Sequence, residues 1–292
     1  MSGTAEQRAL FCFGLGYTAG VLARTLTADR WPVVGTRRAS DPGAAASEGV
    51  ELLPFDRAHP LPDVRARLAE ATHILSSVPP DERGDPVLEV HAGDIAAARN
   101  LRWIGYLSTT GVYGDRGGGW VDETASLLPT GERGRRRVAA ENQWLDLWCR
   151  HGAPVHVFRL AGIYGPGRNA LDAVRAGTAR RIVKPGQVFS RIHVADIARV
   201  LGASMAKPRP GAIYNVCDDD PAPPGDVIAF ACELLGVAPP PEVATEQAGL
   251  SEMAVSFYAD NKRVSNRRIK EELGVRLLYP SYRDGLAALL RA

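Results

Sequence analysis

Long apolar runs are missing from this 292-residue chain. No stretch approaches the roughly 20 consecutive apolar residues of a membrane-spanning helix, and the first residues carry no secretory-signal pattern. The expectation is a cytoplasmic protein without a membrane partner. Cysteine is scarce: Cys12, Cys149, Cys217 and Cys232 are scattered, with no Cys-x-x-Cys pair and no metal-ligand spacing. That speaks against a disulfide framework or thiolate metal centre and for a reduced compartment, with Cys12 as a small buried hydrophobe. A dominant charge sign is also missing. The 35 basic and 33 acidic residues leave a formal net charge of +2, which makes no general case for nucleic-acid binding. Neither His-Glu-x-x-His nor Gly-x-Ser-x-Gly occurs, so zinc-protease and esterase readings have no support. Asp218-Asp219-Asp220 runs into Pro221 to Pro224, which marks a surface turn, and no metal is expected.

What is present points to a dinucleotide turn. An apolar strand runs from Phe11 into Gly14-Leu15-Gly16, and a helical pattern follows at once through Tyr17, Val21, Leu22 and Leu26. Gly14, Gly16 and Ala19 fit the G-x-G-x-x-G/A fingerprint. Gly14 permits a tight turn, Gly16 lets the backbone approach a pyrophosphate, and small Ala19 lets the helix lie close to the strand. The helix N-terminus then presents N–H groups and a positive dipole end to phosphate. A second strand, Trp31 to Thr36, ends where an NAD-binding protein usually carries a ribose-reading acid, about 20 residues on. Here the chain reads Thr36-Arg37-Arg38, with no carboxylate and two guanidiniums able to pair with a 2′-phosphate. NADP is therefore expected over NAD.

The pattern repeats along the chain. A third strand, Val50 to Phe55, ends at Asp56, a candidate contact for the adenine end. After an apolar helical face at Leu61, Val64 and Leu68 comes the buried-type strand Thr72 to Ser77, stopped after Val78 by Pro79-Pro80. Its end, at Ser77 and Val78, would lie along the phosphate and ribose path. A helix from Pro86 to Arg99 and a strand from Leu101 to Leu107 follow. Strands alternating with helices predict an α/β fold with a Rossmann-type doubly wound parallel sheet and ligands at the strand C-terminal ends.

The fifth strand delivers Ser108-Thr-Thr-Gly-Val-Tyr-Gly114. With Asp122-Glu123, Arg159-Leu160 through Ile163-Tyr164-Gly165-Pro166, Ile192-His193-Val194-Ala195-Asp196 and Tyr214-Asn215-Val216, it makes the chain resemble the extended short-chain dehydrogenase/reductase superfamily, the epimerase/dehydratase-like proteins. The resemblance covers nearly the whole chain. It implies a hydroxyl at Thr109, or Ser108, that assists a Tyr-x-x-x-Lys pair in hydride transfer. It also places Tyr164 among cofactor and substrate loops. Here the sequence departs from the pattern. Glu141 and Val138 set the helix register so that Arg133 stands at the Tyr position and Arg137 at the Lys position. Arg137 can still place a permanent charge near the ribose, but Arg133 cannot act as the acid. The resemblance is thus to an atypical subgroup with Arg-Gly-x-x-Arg in this helix. Tyr113 is the preferred substitute proton donor. His193 either titrates near neutrality or makes a structural hydrogen bond.

The run Arg133 to Arg137 opens a helix whose Val138, Trp144 and Leu145 face inward, which argues for a phosphate or solvent role over nucleic acid. Gly117-Gly-Gly119 and Trp120 form a flexible loop, a candidate lid over substrate. Arg168 and Arg191 flank a later segment as candidate grips on an anionic group, and Arg133 and His193 join them as substrate candidates. Residues 1–165 are expected to form an NADP-binding core rejoined by 191–217, and 166–292 a substrate lobe that includes a helix over 261–273 closed by Gly274. Trp144 and Trp148, four apart, mark either a homodimer face or core. The expected activity is NADP-dependent oxidoreductase or epimerase/dehydratase-like chemistry on a polar, sugar-like or anionic small metabolite. The alternative is a catalytically inactive NADP-sensing regulator.

Overall fold

The computed structural model describes residues 8–38, 40 and 49–291. Strand β1 (Leu10–Phe13) is buried along its whole length and leads into α1 (Tyr17–Ala28). Then follow β2 (Val33–Arg37), β3 (Val50–Pro54), α2 (Val64–Glu70), β4 (His73–Ser76), α3 (Pro86–Ala97) and β5 (Trp103–Thr109). Asp85 opens α3 by accepting from the N–H groups of Val87 and Leu88 at 2.9 and 3.1 Å, with Pro86 at the first helical position. A 3₁₀ turn (Thr110–Tyr113) precedes β6 (Trp120–Val121), the long α4 (Glu132–His151) and β7 (Val155–Leu160). The remainder is β8 (Gly162–Tyr164), α5 (Ala170–Arg175), β9 (Arg181–Val183), β10 (Arg191–His193), α6 (Val194–Ala206), β11 (Ile213–Val216), α7 (Pro224–Leu235), β12 (Glu242–Ala244), α8 (Glu252–Ala259), β13 (Arg263–Val264), α9 (Arg267–Glu271) and α10 (Tyr282–Arg291).

The central sheet has seven strands in the order β11-β7-β5-β4-β1-β2-β3, a Rossmann-type doubly wound α/β sheet as expected. Pairing is parallel from β5 through β4, β1 and β2 to β3. Phe13 lies opposite Ser76, so β1 and β4 end level, while β5 runs on past Tyr106, the partner of Ser76, to Thr109. That register brings the Gly14 turn beside Ser77.

The chain divides into two compact units that alternate along the sequence. One comprises Met1–Ser108, Arg136–Phe158 and Leu201–Ile213, the other Thr109–Arg135, Arg159–Val200 and Tyr214–Ala292. The exchange already begins after Ser108, a different line from a cut near residue 165. The first unit has a core of Phe11, Phe13, Ile74, Ile104, Tyr106 and Trp144, among others. The second has its own, around Leu171, Val227, Ala231, Tyr282 and Leu286.

Two expectations are corrected by tertiary contacts, and the open reading of Trp144 and Trp148 is decided by them. The segment 261–273 is not one helix: Arg263 and Val264 pair in parallel with Trp120 and Val121, and only Arg267–Glu271 is helical. Its end is as expected, Gly274 adopting φ +70° and donating to the Lys270 carbonyl at 3.1 Å. The glycine loop 117–119 is not an open lid, because the N–H groups of Arg116 and Gly118 both bond the Asn261 carbonyl at 2.9 Å. Trp144 and Trp148 do not share an exposed face. Trp144 is fully buried and donates to Asp85 at 2.9 Å, whereas Trp148 is partly exposed, its ring filling the space over Gly211.

Candidate cofactor site

In the first unit a cleft of about 1080 Å³ opens at the C-terminal ends of β1, β2, β3 and β4. Of the residues singled out in the sequence, it is lined by Gly14, Gly16, Tyr17, Thr36, Arg37, Arg38, Asp56, Ser77 and Val78. Gly14 adopts φ +82°, and a Cβ there would lie 3.0 Å from both Ser77 Oγ and Val78 Cγ2. Its N–H donates to Thr36 Oγ1 at 2.9 Å, and Ser77 Oγ donates to its carbonyl. The turn is thus clamped from both neighbouring strands. Thr36 is fully buried with its hydroxyl in this clamp, so it shapes the turn and does not read a ribose. Ala19 is buried against the sheet and gives α1 its close approach, as the fingerprint requires.

Above Gly16 the space is open: a Cβ there would meet nothing within 4 Å. Gly16 is the N-cap of α1, no side chain caps the helix, and its first turn carries no acid. Backbone N–H groups and the helix dipole therefore face the cleft. Clamped turn, bare helix terminus and cleft size together fit a dinucleotide pyrophosphate.

The wall is strongly basic. Arg24, Arg37, Arg38, Arg57 and Arg83 line it, against the carboxylates Asp56 and Asp81. Both acids are engaged. Asp56 Oδ1 accepts from His59 Nδ1 at 2.8 Å and from the N–H groups of Ala58 and His59, which hold the carboxyl below its ordinary range. Asp81 bonds Arg57 and is likewise held low by it. Arg57 also bonds Glu89 and donates to the Gly84 carbonyl at 2.9 Å, tying the loop after β3 to the one before α3. Sequence reasoning missed Arg24, Arg57 and Arg83. Arg24 was within reach, since it shares a helical face with Gly16 and Gly20. The Arg57 tie joins residues 24 and 32 positions apart and leaves no local signal.

Also in this unit, Arg137 at the Lys position of the helix donates to the Leu107 carbonyl at 2.6 Å and to Tyr106 Oη at 3.1 Å. It forms a fixed cation beside the end of β5. Ser108 is buried and donates to the buried Glu141 at 2.5 Å, which leaves Thr109 as the reactive-hydroxyl candidate.

The second unit holds the other candidates. Thr109 Oγ1 accepts from the Gly111 N–H at 3.1 Å and caps the 3₁₀ turn; it is partly exposed and its O–H has no acceptor among the described residues. Arg133 is exposed, its guanidinium 6.0 Å from the Phe257 ring centre. Arg168 is exposed at a turn where its backbone exchanges hydrogen bonds with Gly165.

Three expectations fail on burial, and for His193 burial selects the structural of its two readings. Tyr113 is fully buried, donates to Asn215 Oδ1 at 2.7 Å and accepts from Arg159 at 2.9 Å, and burial raises its pKa. It is a structural phenol, not the substitute acid. Tyr164 is buried against His193 and Gly285, with its hydroxyl on the Ser281 carbonyl, which removes it from cofactor contact. Arg191 donates through one terminal nitrogen to the carbonyls of Phe189 and Ala222 at 2.8 and 3.0 Å and is an internal brace. His193 accepts from the Ala195 N–H at 3.2 Å, and burial lowers its pKa to about 4, far from neutrality.

Among the described residues no cluster of His, Cys, Asp or Glu could hold a metal ion, and no helix is long and apolar enough to cross a membrane. Of the acidic run, Asp219 bonds Lys270 and Asn266, and Asp220 pairs with Arg283.

No family model matches the chain. A functionally unknown conserved protein from Silicibacter pomeroyi is 55% identical with a TM-score of 0.88, covering 97% of this chain and 98% of that one. A candidate NAD-dependent epimerase/dehydratase from Methylobacillus flagellatus is 26% identical with a TM-score of 0.74, covering 98% of each chain. Protein YeeZ of Escherichia coli K12 is 29% identical over 281 residues, 91% of this chain and 94% of its own. Glycine turn, strand order and these likenesses agree: the chain belongs to the extended short-chain dehydrogenase/reductase superfamily, with NAD-dependent epimerases/dehydratases as its structural kin.

Proposed function

We propose that the protein is an NADP-dependent oxidoreductase of the epimerase/dehydratase type, acting by hydride transfer on a polar, sugar-like or anionic small metabolite. The observation that carries the reading is the end of β2. Thr36-Arg37-Arg38 borders the same cleft as the glycine turn and supplies two guanidiniums where a ribose-reading carboxylate would repel a 2′-phosphate. Gly16 and the N-terminus of α1 would hold the pyrophosphate, and Arg37 and Arg38 the 2′-phosphate. A nicotinamide dinucleotide bound there would supply or accept the hydride. Thr109 contributes a hydroxyl able to orient a substrate oxygen, and Arg137 a permanent cation. Tyr113 and Tyr164 are bonded inside their own unit and supply no proton in this reading.

The test is calorimetric titration of the wild type and Arg37→Ala with NADPH, NADH and their oxidised forms. Tight NADPH binding that weakens selectively in the variant supports the reading, and equal affinity for NADPH and NADH in both proteins overturns it. The arginines at the Tyr and Lys positions of α4 favour a second reading, a sensor that binds NADP and turns nothing over. NADPH that binds tightly yet is not oxidised with any of a panel of carbonyl compounds and nucleotide sugars would select the sensor.

A further inference from the structure

The five arginines around the cleft are not equivalent. Arg57 and Arg83 are held by acids, Arg57 by Asp81 and Glu89 and Arg83 by Glu89, so they brace the rim. Arg37 and Arg38 stand at the end of β2. Arg24 belongs to neither pair. It comes from α1, where Gly16, Gly20 and Arg24 recur every four residues on one face, and all three border the cleft.

Arg24 folds back toward the helix N-terminus, the ordinary direction for a long helical side chain. One terminal nitrogen lies 3.7 Å from the place a Gly20 Cβ would occupy. Glycine at 20 thins the helix there and keeps that part of the wall low. The side chain is exposed, and no carboxylate pairs with it among the described residues. Its Cα lies about 12 Å along the axis from Gly16 at the helical rise per residue. The guanidinium therefore ends beside Gly20, a turn short of the N-terminus where backbone N–H groups would meet the pyrophosphate. Its place in the wall suits a phosphate further out, on the ribose.

We propose that Arg24 is a third arm of the 2′-phosphate site, reaching from α1 to the same group that Arg37 and Arg38 meet from β2. The assignment rests on the NADP reading above. A phosphate dianion offers three acceptor oxygens, and guanidiniums from two elements can engage them from two sides. Cofactor selectivity would then be set by a helix face as well as by the strand end.

Arg24→Gln and Arg24→Lys are titrated calorimetrically with NADPH, NADH, 2′,5′-ADP and 5′-AMP, beside the wild type and Arg37→Ala. The side chain is exposed, so folding is not at stake. Arg24→Gln is expected to weaken NADPH and 2′,5′-ADP about ten- to hundredfold while leaving NADH and 5′-AMP unchanged, with Arg24→Lys in between. Unchanged NADPH affinity in Arg24→Gln, with the wild type still selective and Arg37→Ala still impaired, overturns this assignment alone. Equal losses for NADPH and NADH would place Arg24 on the pyrophosphate and also overturn it. A wild type indifferent to the 2′-phosphate removes both the assignment and the reading beneath it.

Discussion

Gly14 is the position where backbone and surroundings together leave least room. Its φ of +82° strains any L side chain, and a Cβ would press on Ser77 and Val78 at 3.0 Å. Gly14→Ala is expected to cost about 1–3 kcal/mol of stability and to weaken NADPH and NADH alike, checked by thermal unfolding and titration. A second residue-scale expectation concerns Asp218, buried in the second unit, where burial pushes its carboxyl up to about 8 and Oδ2 has no partner in the described structure. The folded state holds the proton to about pH 8 and the unfolded chain loses it near 3.8, so the cost of burying Asp218 grows across that window. Asp218→Asn should leave stability unchanged at pH 4 and raise it increasingly up to pH 8. An equal effect at both pH values would contradict the shift.

Among the elements, the loops framing the cleft depend on one long-range tie. Arg57→Met severs the bonds to Asp81, Glu89 and Gly84 at once. Because two of these partners are partly exposed, a loss of about 1 kcal/mol is expected, with a similar drop in affinity for both reduced nucleotides. Selective loss of NADPH would instead make Arg57 a phosphate ligand. The framing elements themselves were readable in advance. Buried strands before glycine or proline breaks, and the apolar faces of α1 and α2, carry period and punctuation in the sequence. The segment 261–273 was misread because its charged, helix-favouring residues are overridden by pairing with Trp120 and Val121, a partner more than 140 positions away. Tyr113, Tyr164 and Arg191 were misjudged for a related reason. Proximity to a strand end is visible in sequence, but whether a side chain turns inward to a partner such as Asn215 is not.

Across the molecule, acid sensitivity follows from histidines kept neutral. His156 donates from Nδ1 to the Ile104 carbonyl at 3.3 Å while Nε2 accepts from the Arg209 N–H at 2.8 Å, so a second proton would break the latter bond. Burial lowers His156, His73 and His193 to about 4 each. The unfolded chain takes these protons near pH 6.5, so the histidines' contribution to stability is full above that value and is lost as pH falls toward 4, by about 3 kcal/mol for His156 and for His73. Between pH 7 and 4 the urea midpoint of the wild type should lose ground steadily to that of His156→Gln, which does not titrate. Parallel slopes would contradict the buried-neutral assignment.

NADP binding in the cleft at the ends of β1 and β2 is the proposal on which the other functional expectations rest. The measurement that tests it most directly is a crystal structure of the protein grown with saturating NADP⁺. A pyrophosphate over Gly16 at the N-terminus of α1 and a 2′-phosphate within hydrogen-bond distance of Arg37 and Arg38 are expected. A nucleotide bound elsewhere, or one whose 2′-phosphate points to solvent away from both arginines, would contradict it.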